Sequence, residues 1–207
     1  MRHLRHALLL CAIAFGVAAH CVLAGENSRN MSAREVFALL PDTIFENTVE
    51  GLSEGEKQRL LADGQEEFWQ LAEETQDSLL FSALPFHDSA VALRLFHETD
   101  ENFCLAATGT IGGPLCTLEL WRMDNAGRMV PVDGPPEPDI RDFLQAGQVL
   151  PRDIQPSTIL CLDFDGLKAQ PLFWSSSGLV DLPVAREVRY QWNGSAFEKR
   201  ISTKAAP

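Results

Sequence analysis

Positive charge is scarce in this chain: 17 Lys and Arg stand against 29 Asp and Glu, a formal net charge of −12 over 207 residues. A surface of that sign repels phosphate backbones and anionic headgroups, which argues against nucleic acid as a partner. Long apolar runs are equally few. The one near the start, Ala7 to Ala19, is about a dozen residues, short of the roughly 20 that a membrane-spanning helix needs. No C-x-x-C pair and no twelve-residue EF-hand pattern occurs, so neither a cofactor nor a metal is expected. Internal repeats and low-complexity tracts are missing as well. What remains, 45% hydrophobic and 22% charged residues, is ordinary globular composition with enough length for one substantial core.

The first residues form a recognisable export pattern. Arg2 and Arg5 precede the apolar run, and the small-residue site Val22-Leu23-Ala24 stands before Gly25. This is the grammar of a cleaved secretory signal peptide over residues 1–24, with no stable membrane span left after cleavage. Acylation on Cys21 would want a small residue before it, where His20 stands. Processing removes two arginines and no acid, leaving 15 basic against 29 acidic residues. The expected location is therefore periplasmic or extracellular, a compartment where disulfides persist.

After a leader at 25–31, Ser32 with Glu35 and Ser53 with Glu56 each fit a helix capping box, and apolar residues follow both. The spacing of Phe68, Leu71 and Ala72 predicts a third helical stretch from Gln65 to about Thr75, with Glu66, Glu67, Glu73 and Glu74 on its solvated face. Beyond Asp77 the apolar runs shorten and turn residues recur every ten or so positions. Nine strands are expected there, paired antiparallel because the connections are short. Asn193-Gly194 between two β-type runs is the clearest hairpin signal. Asp139 to Ala146, after Gly134-Pro135-Pro136, reads as a short crossover helix.

Three cysteines survive processing. Cys104 and Cys116 flank Gly109, Gly112 and Gly113, so a hairpin centred near Thr110 would set them opposite each other as a disulfide. Cys161, inside Ile159-Leu160-Cys161-Leu162, reads as a small buried hydrophobe.

The apolar run ending in Asp163-Phe164-Asp165-Gly166 resembles the first motif of the haloacid-dehalogenase-type phosphatases. That resemblance implies a nucleophile at Asp163 and an acid/base at Asp165, working with a divalent ion. Only about forty residues follow, too few for the family's remaining motifs. A strand closing in an Asp-Gly turn accounts for the same residues. His87-Asp88, Ser89 and His97 offer triad chemistry, yet no nucleophile elbow is built around Ser89. Trp121, Trp174 and Trp192 fall on expected strands, where a core role outweighs a ligand platform.

Phe37-Ala38-Leu39-Leu40-Pro41-Asp42-Thr43-Ile44-Phe45, the Leu93-Arg94-Leu95-Phe96 strand, the Cys-containing hairpin and Leu120-Trp121-Arg122 together resemble a group of small secreted Gram-negative proteins of unknown function with an LPDSIF-like opening. The resemblance spans residues 36–132 and implies an envelope protein without naming a reaction.

The expected fold is α+β: one domain over 32–203, helical over 32–77 and β-rich over 78–203, with a tail at 204–207. The expected role is non-catalytic binding of another envelope protein or a wall component, through the acidic face of Glu66, Glu67, Glu73 and Glu74. The alternative is a phosphoesterase-like hydrolase using Asp163 and Asp165. A purely structural envelope factor is not separable from the first reading by sequence.

Overall fold

Backbone polarity governs the N-terminal part. In the computed structural model, which describes residues 31–46, 48, 51–84, 89–99, 104–111 and 115–204, both expected capping boxes form. The signal segment, most of the leader and His87-Asp88 lie outside the described residues. Ser32 Oγ accepts the Glu35 N–H, and the Glu35 carboxylate takes the Ser32 N–H at 2.7 Å, opening α1 (Ala33–Leu39). Ser53 and Glu56 do the same for α2 (Glu54–Asp63), which Gly64 ends in the left-handed conformation. Between them Pro41 starts a 3₁₀ turn (Asp42–Phe45) that drops Ile44 and Phe45 into the core. Lys57 is 1% exposed and points its ammonium at the C-terminal end of α1, where Ala38 O and Leu40 O accept from Nζ. Those carbonyls have no partner within the helix, so the buried charge is matched by oxygens that need donors.

Eleven strands follow among the described residues, in two antiparallel sheets. The first is a meander of β1 (Trp69–Glu74), β2 (Ser78–Ala83), β3 (Ala90–His97), β4 (Cys104–Ile111), β5 (Leu118–Met123) and β6 (Met129–Val132), in sequence order. The second contains β7 (Gln155–Asp163), β8 (Gly166–Ser175), β9 (Gly178–Val180), β10 (Arg186–Trp192) and β11 (Phe197–Thr203), ordered β11-β10-β8-β7 with β9 also on β8. The molecule is thus mostly antiparallel β with two short helices. The expected α+β balance and single helix-covered sheet give way to three layers, helices, first sheet and second sheet.

Side-chain alternation explains the layering. Leu79 and Phe81 on β2, Val91, Leu93 and Leu95 on β3, Ala106 on β4 and Trp121 on β5 face the helices, where Val36, Phe37, Phe45 and Leu60 meet them. Phe96, Leu105, Ala107 and Leu120 point the other way, toward Leu162, Trp192 and Phe197 of the second sheet. At the crossing, Gly109 leaves room for Leu162: a Cβ there would lie 3.0 Å from Leu162 Cβ and 2.9 Å from Thr117 O.

Two expected helices are corrected. Residues 65–75 form no helix, because Gly64 terminates α2 and a turn at Thr75–Ser78 folds the chain back as the β1–β2 hairpin. The residue that matters there is Trp69, 1% exposed among the core aromatics, with Nε1 donating to Gly51 O at 2.8 Å. The stretch 139–146 contracts to a 3₁₀ turn (Ile140–Asp142) capped by Asp139, though it does cover the second sheet by packing Phe143 on Leu167, Ala169, Val188 and Tyr190. The Asn193-Gly194 hairpin forms as expected, with Gly194 at positive φ and Asn193 Oδ1 accepting from Ser195 and Ala196 N–H.

The expected Cys104–Cys116 bridge is also corrected. The β4–β5 register pairs Leu105 with Arg122 and Gly109 with Leu118, so the hairpin turns beyond Ile111 and not at Thr110. Cys104 then stands far along β4 from Cys116. Cys116 pairs instead with Cys161, Cα–Cα 5.6 Å, joining the lead into β5 to β7 of the other sheet. Cys104 is a free, half-buried thiol whose ionisation burial pushes up.

The bridge closes a loop across 45 positions, for which loop-closure entropy gives about 4 kcal/mol of stabilisation. Cys116→Ser is expected to lose most of that in denaturant unfolding, while Cys104→Ser costs less than about 1 kcal/mol. Peptide mapping of the unreduced chain should recover the peptide of Cys116 linked to that of Cys161.

Candidate functional site

The Asp163–Gly166 turn joins β7 to β8, with Asp163 paired to Gly166 across it. Phe164, at the tip, is 80% exposed and Asp165 is exposed beside it. Asp163 points to Arg189 on β10, with Nη1 3.1 Å from its carboxylate. The same guanidinium reaches Glu187 at 3.1 Å, and Lys168 Nζ approaches Glu187 at 3.3 Å. Asp163, Arg189, Glu187 and Lys168 therefore form a chain of alternating charge. The Arg189 hydrogen bond, aided by Lys168, holds the Glu187 carboxyl below its usual range, and Glu187 in turn raises Arg189. Asp163 is thereby neutralised by an arginine and not paired with Asp165. No cluster of three or more His, Cys, Asp or Glu able to hold a metal ion is present among the described residues.

Gly166 has its own structural reason. A Cβ at that position would lie 2.1 Å from Tyr190 O, so only glycine lets the start of β8 approach β10. The Asp-x-Asp-Gly spelling is explained by a turn followed by a close backbone contact.

A groove of about 940 Å³ opens next to this chain of charges. It arises from an interruption in the second sheet. β10 pairs with β8 only as far as Ala169, and β9 takes up pairing at Phe173, so Gln170, Pro171 and Leu172 have β7 on one flank and no strand on the other. Pro171 suits such a gap because it has no N–H to leave unpaired. Leu172, Leu179, Leu182 and Val184 supply an apolar lining, with Lys168 and Glu187 at one side. Leu179 is 41% exposed.

The helix expected to carry the acidic face is not formed, and Glu73 and Glu74 stand on β1. Glu66 is bound by Arg59 at 2.8 and 2.9 Å, and Glu74 by Arg34. These guanidiniums lower both carboxyls. Glu67 and Glu73 are exposed, Glu67 ahead of β1 and Glu73 within it. Of the triad candidates, Ser89 and His97 flank the eight-residue β3, roughly 26 Å apart for an extended strand. His97 Nε2 lies 2.7 Å from Asp77 Oδ1. Trp121 is a core residue, Trp192 packs between Phe96 and Phe197, and Trp174 is 38% exposed with Nε1 donating to Ser157.

Gly51-Leu52-Ser53-Glu54-Gly55 does carry G-x-S-x-G spacing, which composition reading passes over. Ser53 is the N-cap of α2, its hydroxyl engaged by Glu56, and no strand leads into it. The alternating Glu187, Arg189 and Gln191 of β10 were the sequence signal for the ion-pair chain, since period-two polarity places them on one face. Compared with family models, curated proteins and solved structures, the chain matches none.

Glu119 is the one carboxyl among the described residues whose ionisation is pushed up, by desolvation and then by Glu46. A carboxyl raised in the fold favours folding below its unfolded pKa and loses that contribution as pH rises through the folded value. Glu119→Gln is therefore expected to raise the melting temperature at neutral pH, with the gain vanishing in acid. Around the turn, Gly166→Ala should cost roughly 1–3 kcal/mol through the forced backbone shift, whereas Asp163→Asn loses a half-exposed pair worth at most about 1 kcal/mol. Thermal melts across pH check the first variant, and chemical denaturation checks the other two.

Proposed function

We propose that this chain is a non-catalytic binding protein that works outside the cytoplasm, exported through residues 1–24, and that the groove beside β8 receives another envelope protein or a wall component. The observation that carries this reading is the groove itself: a concave surface at a break in a sheet, where apolar side chains such as Leu172, Leu179 and Val184 alternate with charged ones such as Lys168, Asp181 and Glu187. The Cys116–Cys161 bridge supports an oxidising compartment. No helix among the described residues is long and apolar enough to cross a membrane. The hydrolase reading has less behind it, because Asp163 is committed to Arg189 and Asp165 stands apart in solvent.

The test is cross-linking and affinity capture of the exported chain from its own envelope, repeated with Leu179→Arg in the groove and with Glu67→Lys and Glu73→Lys on the β1 edge. The groove substitution is expected to weaken capture about tenfold or more, as loss of a central contact does, and the edge substitutions to leave it unchanged. Capture that survives Leu179→Arg would overturn the groove as the binding surface. Divalent-ion-dependent phosphoester hydrolysis abolished by Asp163→Asn would overturn the non-catalytic reading.

A further inference from the structure

The five outer strands of the two sheets are not alike, and β9, which pairs only with β8, is just three residues long. β1 is bulged between Leu71 and Glu73, and its outer side is engaged where Leu71 N–H reaches Gly64 O. β6 is four residues long and contains Pro131. β7 is bridged to the first sheet by Cys116–Cys161 and approached at Thr158 by Glu137 and Pro138. Bulges, proline, short length and covalent cover are the devices by which proteins keep strand edges from pairing with other chains. β11 has none of these four; its protection is the charge of Glu198, Lys199 and Arg200, which deters any edge that does not complement it. Its seven residues pair one-to-one with β10 from Phe197 to Thr203 without a bulge, and nothing among the described residues hydrogen-bonds to its other edge. Six of the seven are exposed, Ile201 among them at 44%.

The charges on β11 suit one partner. Arg200 stands opposite Arg189 on β10, a like-charge pair across the sheet, and such pairs are unfavourable. On the same face Glu198 lies two positions away and touches Arg200 Nη2 at 2.5 Å. In an antiparallel pairing of β11 with a second β11 about a two-fold axis through Lys199, Glu198 of each copy stands opposite Arg200 of the other, twice. On the opposite face Phe197 meets Ile201, again twice. The two Lys199 side chains meet at the axis, and each is neutralised within its own chain by Asp142, 2.9 Å from Nζ. Registers shifted by two residues in one direction place Arg200 against Arg200, and the parity of the pleat forbids shifts by one.

We propose that the chain self-associates through β11, as a two-fold symmetric dimer in which the second sheets of two copies become one continuous sheet. The partner is another copy of this chain, and the register is centred on Lys199. This association is independent of the groove, whose lining does not include β11.

Sedimentation and light scattering of the exported chain over a micromolar concentration range test it. A monomer–dimer equilibrium that salt shifts toward monomer is expected, because the added pairs are exposed charges. Glu198→Arg alone and Arg200→Glu alone should each abolish the dimer by opposing like charges, and the double swap should restore it, with circular dichroism melts confirming that all three fold. For the register, Lys199→Cys in a Cys104→Ser background should form a disulfide-linked dimer on mild oxidation, and Ile201→Cys should not. A monomer at every concentration overturns the proposal. So does a dimer indifferent to both single swaps, or cross-linking at 201 and not at 199.

Discussion

The approach of β7 to β4 and β5 is the contact on which the rest of the molecule depends. Gly109 gives up a side chain so that Leu162 can seat against the first sheet, and the Cys116–Cys161 bridge fixes the same junction covalently. Every other contact between the two sheets radiates from it: Leu118 and Leu120 meet the second sheet there, and further out Phe96 meets Trp192 and Phe197. Without the glycine the sheets could not close to packing distance, and without the bridge the loop containing β6 and the Gly134–Pro138 segment would be far less constrained in the unfolded chain.

That junction leaves the two sheets with different duties. The first is covered on one face by α1 and α2 and on part of the other by the second sheet, so its side chains are spent on packing. The second is held at one end only. Phe143, Tyr190 and the Tyr190 OH bond to Pro136 O secure its covered face, which frees the loop between β9 and β10 to leave β8 over three residues and open a groove. The charged groups nearby are arranged as a neutralised chain, Asp163 to Arg189 to Glu187 to Lys168. Within it the Glu187 carboxyl is held below its usual range by the Arg189 hydrogen bond, with Lys168 adding to the effect.

How much could be read in advance differed from residue to residue for physical reasons. Capping boxes at Ser32 and Ser53 and the Asn193-Gly194 turn are decided within four residues, and they form as expected. The stretch containing Trp69 was misleading because Phe68, Leu71 and Ala72 also satisfy a helical spacing. The hairpin with β2 outweighs it by burying Trp69 completely. The partners of the acidic residues were hidden for the same reason: Glu66 meets Arg59 and Glu74 meets Arg34 only once α2 ends and β1 folds back. Of the groove, Leu179 and Pro171 carried no local mark, since a gap in a sheet exists only once β9 and β10 have chosen their registers on β8.

The sequence by itself determined what short-range chemistry decides: the acidic surface, the stops and starts of the two helices, and the positions of most strands. Only the tertiary structure decided which cysteine pairs with which, that the strands divide into two sheets, and where a concave surface opens. Each of these depends on register between strands distant along the chain. A register between β4 and β5 seven residues away from the one that would pair Cys104 with Cys116 separates those two, and Cys116 bonds Cys161 of β7. No local pattern contains that choice, because register is fixed by the packing of whole faces against one another.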